Sequence, residues 1–132
     1  MRHRSVEEWE GRLDAVMREL DQFLEAKYQG KYALHPARLP QGVAAHPAHD
    51  GLFSILAAFT LGLGSRTGKG YIVDIKLKTL EDVPAEVVEE IEQTAIDFIG
   101  ERLPQIFPDV ELSIGIDGPV IKIHGDLSLG NV

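Results

Sequence analysis

Apolar residues recur at three- and four-residue spacing over residues 5–28: Val6, Trp9, Leu13, Val16, Met17, Leu20, Phe23 and Leu24. That spacing predicts an amphipathic helix with one wide apolar stripe. Ser5, with Glu8 three residues on, matches a capping box, and Gly30 supplies a stop. Glu8–Arg12 and Asp14–Arg18 are i,i+4 pairs on the wet side. The period is lost over 31–51. Pro36, Pro40 and Pro47 rule out a continuous helix there, and nothing alternates as a strand does, so a long loop is expected. Loops of that length inside a small domain are uncommon and often functional.

Alternation begins at 52. Phe53, Ile55, Ala57, Phe59, Leu61 and Leu63 fall on one face of a predicted strand over 52–63; Ser54, Leu56, Ala58, Thr60 and Gly62 fall on the other. Because Ala57–Ala58 suits either element, a helix is the competing assignment for this segment. A glycine-rich loop follows over 62–70. The strand over 71–80 then turns Tyr71, Val73, Ile75 and Leu77 one way and Asp74, Lys76 and Lys78 the other. A second helix is expected from Pro84 to Leu103, with its stripe on Val87, Val88, Ile91, Ala95, Phe98, Ile99 and Leu103. Pro104 and Pro108 are its expected stops. The last pattern is a hairpin. Val110, Leu112, Ile114 and Ile116 alternate with polar residues, Asp117–Gly118–Pro119 signals a turn, and Ile121 and Ile123 alternate with Lys122 and His124.

The element order is therefore α-β-β-α-β-β. Two one-sided helices and four one-sided strands are most simply buried as a single α+β domain over 1–132. This is a four-stranded, mostly antiparallel sheet with both helices packed on one face. The order resembles a circularly permuted ferredoxin-like arrangement, a likeness of fold that carries no function. Asp74, Lys76, Lys78, Lys122 and His124 are expected on the other sheet face, meeting water, beside the small residues Ser54, Ala58 and Thr60. That small-residue strand and the broad stripe of the first helix both suit self-association as a homodimer.

Composition narrows the classes. The chain has 132 residues and no cysteine, which removes disulfides, zinc–thiolate sites, iron–sulfur clusters and thiol nucleophiles, and fits a reducing, cytoplasmic setting. No secretory signal or membrane span is expected, because acidic residues follow the basic start and the longest apolar run is broken by Ser54, Thr60 and Gly62. The net charge of −8 disfavours nucleic acid as a partner. The charge is uneven: 35–80 is net basic, through Arg38, Arg66, Lys69, Lys76 and Lys78, whereas 81–132 holds nearly all of the acidic excess.

Two loops are the candidate sites. Gly64, Ser65, Arg66, Gly68 and Lys69, with Arg38 from the same basic segment, could receive a small anionic ligand, since glycine lets backbone amides approach an anion closely. The loop is neither a P-loop nor a dinucleotide fingerprint, because a strand and not a helix follows it. His35, His46, His49 and Asp50 carry ligand chemistry for a transition metal, although their spacing matches no established zinc motif. The resulting expectation is a binding or assembly domain. The rival is a metal- or anion-dependent enzyme whose site joins the two loops; convergence of these residues in one cleft favours the enzyme, and scatter favours binding. The stretch from His124 through Gly125 and Asp126 to Asn131 resembles the catalytic loop of aminoglycoside-phosphotransferase-like kinases. With no further aspartate after it and no room for a nucleotide lobe, a terminal strand and short tail is the expected reading. The identity of any cofactor is left open by the sequence.

Overall fold

A computed structural model of the chain describes residues 4–44 and 49–125. Helix α1 spans Arg4–Lys27, strand β1 Phe53–Thr60, strand β2 Gly70–Leu77, helix α2 Ala85–Ile106, strand β3 Leu112–Asp117 and strand β4 Val120–Gly125. The strands form one antiparallel sheet in the order β1-β2-β4-β3. This is the expected α-β-β-α-β-β architecture, and the sheet order fits the permuted ferredoxin-like arrangement.

The two periodicities interlock in one core. Leu13, Val16, Met17, Leu20 and Leu24 of α1 and Ile91, Ala95, Ile99 and Leu103 of α2 are buried against Phe53, Ile55, Tyr71, Val73, Ile121 and Ile123, which alternate along the strands. Both helices thus cover the same sheet face. Trp9 is stacked between Tyr71 and Phe107, with ring centroids 4.8 and 4.7 Å away, and joins the first turns of α1 to the end of α2. Truncating so large a buried ring costs about 3–5 kcal/mol.

Pairing is uneven across the sheet. β1 and β2 pair along their whole length, from Phe53 opposite Leu77 to Thr60 opposite Gly70. β4 meets β2 only at Tyr71, Ile72 and Val73. β1 and β3 are the two sheet edges.

Helix α2 corrects one expectation. It runs through Pro104, an expected stop, and ends at Ile106. A proline removes one i→i−4 bond, but in the last turn only that bond is at stake. The flanking Leu103 and Phe107 are both buried, and the Phe107 amide donates to the Leu103 carbonyl at 2.8 Å. Burial of these two side chains outweighs the lost bond. Helix α1 begins at Arg4, two residues ahead of Val6, where a Ser5 cap would start it.

Candidate functional site

The glycine loop, residues 61–69, closes the β1–β2 hairpin and folds back over the outer sheet face. The reversal needs Gly62, whose φ is +69° and where a Cβ would collide with the Gly68 carbonyl. Beneath the loop lies Lys122. Alternation assigns it to a watery face, yet it is only 1% exposed. Its Nζ donates to Ser65 Oγ at 2.9 Å, to the Gly68 carbonyl at 2.7 Å and to Asp117 Oδ2 at 2.9 Å. Those three bonds use every hydrogen of the ammonium group. The solvated placement expected for Lys122 is thereby corrected: the loop that follows β1 supplies its cover. Asp74 and Lys76 do meet water, with Lys76 Nζ 3.6 Å from Asp74.

Asp117 completes this arrangement. Its carboxylate accepts from the Thr67 hydroxyl, from the Thr67 amide at 3.0 Å and from the Arg66 amide at 3.3 Å. The Thr67 hydroxyl, then Lys122, then the loop amides hold its carboxyl well below the usual range. The Arg66 and Thr67 amides thus face an anion that belongs to the chain itself. Arg66 Nη2 donates to the Ile116 carbonyl at 3.0 Å, and Lys69 is exposed. Ser65 Oγ donates to the Gly62 carbonyl at 2.6 Å and accepts from the Gly68 amide at 3.1 Å. Ser65, Lys122 and Asp117 thus bond one another and the loop backbone, and the cluster acts as a clasp on the loop.

The His/Asp loop, 31–51, has its own internal partners. His35 Nδ1 accepts from the Ala37 amide at 3.0 Å, and Asp50 Oδ2 accepts from the Gly42 and Ala44 amides, both at 2.9 Å. His49 is exposed, and His46 lies outside the described residues. Arg38 donates to the carbonyls of Gly51, Asp50 and Phe53 at 3.1, 2.8 and 3.2 Å. Among the described residues, no group of three histidine, aspartate or glutamate side chains is placed to hold a metal ion. Asp126 and Asn131 also lie outside the described residues.

The two loops do not share a cleft. Loop 31–51 leads into the start of β1, while the glycine loop leaves its far end, and eight extended residues between them span about 25 Å. His35, His49 and Asp50 thus lie toward the start of β1, and Arg66 and Lys69 in the loop after its end. A hairpin keeps its base and its tip apart.

A buried carboxylate that sequence reasoning missed sits where loop 31–51 meets α1. Asp21 is 3% exposed, and its Oδ1 has no hydrogen-bond partner. Burial, reinforced by Glu25 and Asp50 and opposed by Arg38, pushes its carboxyl up to about 7. One turn on, Glu25 accepts from the Leu52 and Phe53 amides at 3.1 and 3.0 Å, tying α1 to the start of β1.

The remaining feature is the outer edge of β1. Among the described residues, no strand pairs with it on the side away from β2. Its eight residues, Phe-Ser-Ile-Leu-Ala-Ala-Phe-Thr, include no charge, and no charged residue occurs anywhere in 51–65. Leu56 and Phe59 are 48% and 51% exposed, with Leu61 and Leu63 more open still. Alongside, Leu56–Phe59 and the α1 residues Glu10, Gly11 and Asp14 line a shallow depression. Monomeric proteins usually blunt such an edge with lysine, proline, a bulge or a covering segment.

These features define a helix-covered antiparallel α+β protein in which, among the described residues, the β1 edge has no partner strand. The chain belongs to a family whose model, described as "Uncharacterised protein", matches residues 4–125. It is similar to an "Uncharacterized protein" of Borreliella burgdorferi (strain ATCC 35210 / DSM 4680 / CIP 102532 / B31), 39% identical over 118 residues that cover 89% of this chain and 92% of that protein. No solved structure matches the chain significantly. Among the described residues, no helix is long and apolar enough to cross a membrane.

Proposed function

We propose that this chain is an assembly domain that joins a second copy of itself along the free edge of β1, merging two four-stranded sheets into one. The observation that carries this reading is an uncharged, unpaired strand edge with exposed Leu56 and Phe59 in a protein of net charge −8. A partner selected by charge would find nothing on that edge to recognise. On the strand itself a second copy meets no like charge, Glu10 and Asp14 of α1 standing to one side of it, and an antiparallel pair about a two-fold axis satisfies both backbone edges at once.

The available edge also suggests a register. The Leu52 and Phe53 amides already serve Glu25, and the Phe53 carbonyl serves Arg38. What remains is 54–60, whose centre is Ala57. Pairing about that centre sets Ala57 against Ala57 of the second copy, Leu56 against Ala58, Ile55 against Phe59 and Ser54 against Thr60. Each pair points to one sheet face, as antiparallel strands require.

The enzyme alternative has less support, because its two loops lie at opposite ends of β1 and the glycine-loop amides of Arg66 and Thr67 are engaged by Asp117. An anionic ligand there would have to compete with a carboxylate already in place.

The test is an Ala57→Cys variant in this cysteine-free chain. Directly opposed Cα atoms in an antiparallel pair lie about 4.5–5.5 Å apart, inside the range a disulfide spans. Oxidation is expected to give a covalent dimer for Ala57→Cys and far less for Lys69→Cys, an exposed position off the edge. Equal cross-linking of the two variants, or none at position 57, contradicts the register and the edge.

A further inference from the structure

The sheet has a second gap, on the opposite side of β2. β1 pairs with all eight residues of β2, but β4 pairs only with Tyr71, Ile72 and Val73. Continuing that register sets Pro119 opposite Ile75. A proline has no N–H to extend a ladder, and the chain reverses there into β3. The Asp74–Leu77 half of β2 therefore has no strand partner on that side among the described residues. Since backbone groups alternate sides along a strand, Ile75 and Leu77 face the gap, the Leu77 carbonyl already accepting from the Thr79 amide at 3.1 Å.

The gap opens on a cavity of about 250 Å³, of mixed polar and apolar lining, between the sheet and the first half of α2. Phe53, Val73, Leu77, Val88, Ile91 and Ile121 supply its walls, and Asp74 and Glu92 are its charged lining. The surrounding charge is mostly acidic, with Lys76 of this same half of β2 ion-paired to Asp74 at 3.6 Å. Between Lys78 and Arg102 the sequence holds eight acidic residues and no basic one, among them Glu86 and Glu89 on the exposed side of α2.

We propose that this notch is a docking site for a short extended peptide segment with an apolar residue flanked by lysine or arginine, added to β2 as a strand in line with β4. The backbone of Asp74–Leu77 supplies the ladder, the cavity takes one aliphatic side chain, and Glu92, on the acidic face of α2, meets a flanking cation. The site lies on the far side of β2 from the β1 edge, so it does not depend on self-assembly. Its ladder has room for only about four residues, roughly 13 Å of strand. A longer or globular partner would make its remaining contacts elsewhere.

The probe is a terminally blocked pentapeptide, Lys-Ile-Leu-Ile-Lys, titrated into the full chain by calorimetry. A Glu-flanked counterpart and a version with alternate N-methylated amides serve as controls. The lysine peptide is expected to bind at one site per chain. The glutamate peptide should bind about fivefold more weakly, since attraction to Glu92 and the acidic face of α2 turns to repulsion. N-methylation should remove binding. Val88→Arg, at an exposed rim position, should weaken the lysine peptide with little change in thermal stability. No binding, equal binding of both charge types, or affinity unchanged in Val88→Arg overturns the proposal. So does binding lost in Ala58→Lys but kept in Val88→Arg, which would put the peptide on the β1 edge.

Discussion

Replacing Asp21 with asparagine tests the energetics where loop 31–51 meets α1. The native carboxyl is raised from its ordinary value of 3.8 to about 7, mainly by burial and then by Glu25 and Asp50. The folded protein therefore keeps a proton that the unfolded chain releases between about pH 4 and pH 7, so ionisation of Asp21 makes stability fall as pH rises through that window. A shift of about three units at ~1.4 kcal/mol each sets a ceiling of about 4 kcal/mol above pH 7. Relaxation and water entry around a buried charge reduce it, to roughly 1–3 kcal/mol. Asp21→Asn keeps the shape and removes the charge. It is expected to match the native chain near pH 4 and to exceed it by roughly 1–3 kcal/mol at pH 8, a rise of about 3–10 °C in Tm. Urea unfolding of both proteins between pH 4 and pH 8.5 measures the difference directly, free of every titration they share. A difference that stays flat with pH, or an asparagine variant that is the weaker at pH 8, refutes the reasoning.

Two further substitutions probe the clasped loop. Lys122→Met keeps length and apolar bulk but leaves the buried Asp117 facing only loop donors; a loss of roughly 3 kcal/mol is expected by urea unfolding. The double variant Lys122→Met/Asp117→Asn should lose less than Lys122→Met alone, because no unpaired charge stays inside. Gly62→Ala forces a side chain into a left-handed backbone position against the Gly68 carbonyl, and should cost about 2 kcal/mol or more in the same assay.

The fold was legible because hydrophobic period survives burial. The stripe from Leu13 to Leu24 and the alternation of Phe53, Ile55, Val73, Ile121 and Ile123 are the positions that fill the core. Phe23 and Val88, on the same stripes, stay partly exposed, Phe23 meeting Phe98 of α2 with ring centroids 5.3 Å apart. The site was less legible, for different reasons at each residue. Lys122 follows the strand rule and does point to the outer face; what the rule lacks is the fold-back of a loop more than fifty positions away in sequence. Asp117 reads as the first residue of an Asp-Gly-Pro turn, and that turn is real, but its carboxylate serves a different loop. Asp21 was open to view: it stands four residues after Met17 and three before Leu24, inside the apolar stripe, where an acid can only be buried or break the helix face.

Sedimentation velocity on the native chain and on Ala58→Lys at micromolar concentration bears most directly on the assembly role. The account predicts a native species of twice the 14.6 kDa chain mass and a lysine variant at the single-chain mass with its Tm little changed at low concentration. A native chain that sediments at 14.6 kDa across the whole concentration range, or a dimer that persists in Ala58→Lys, contradicts it.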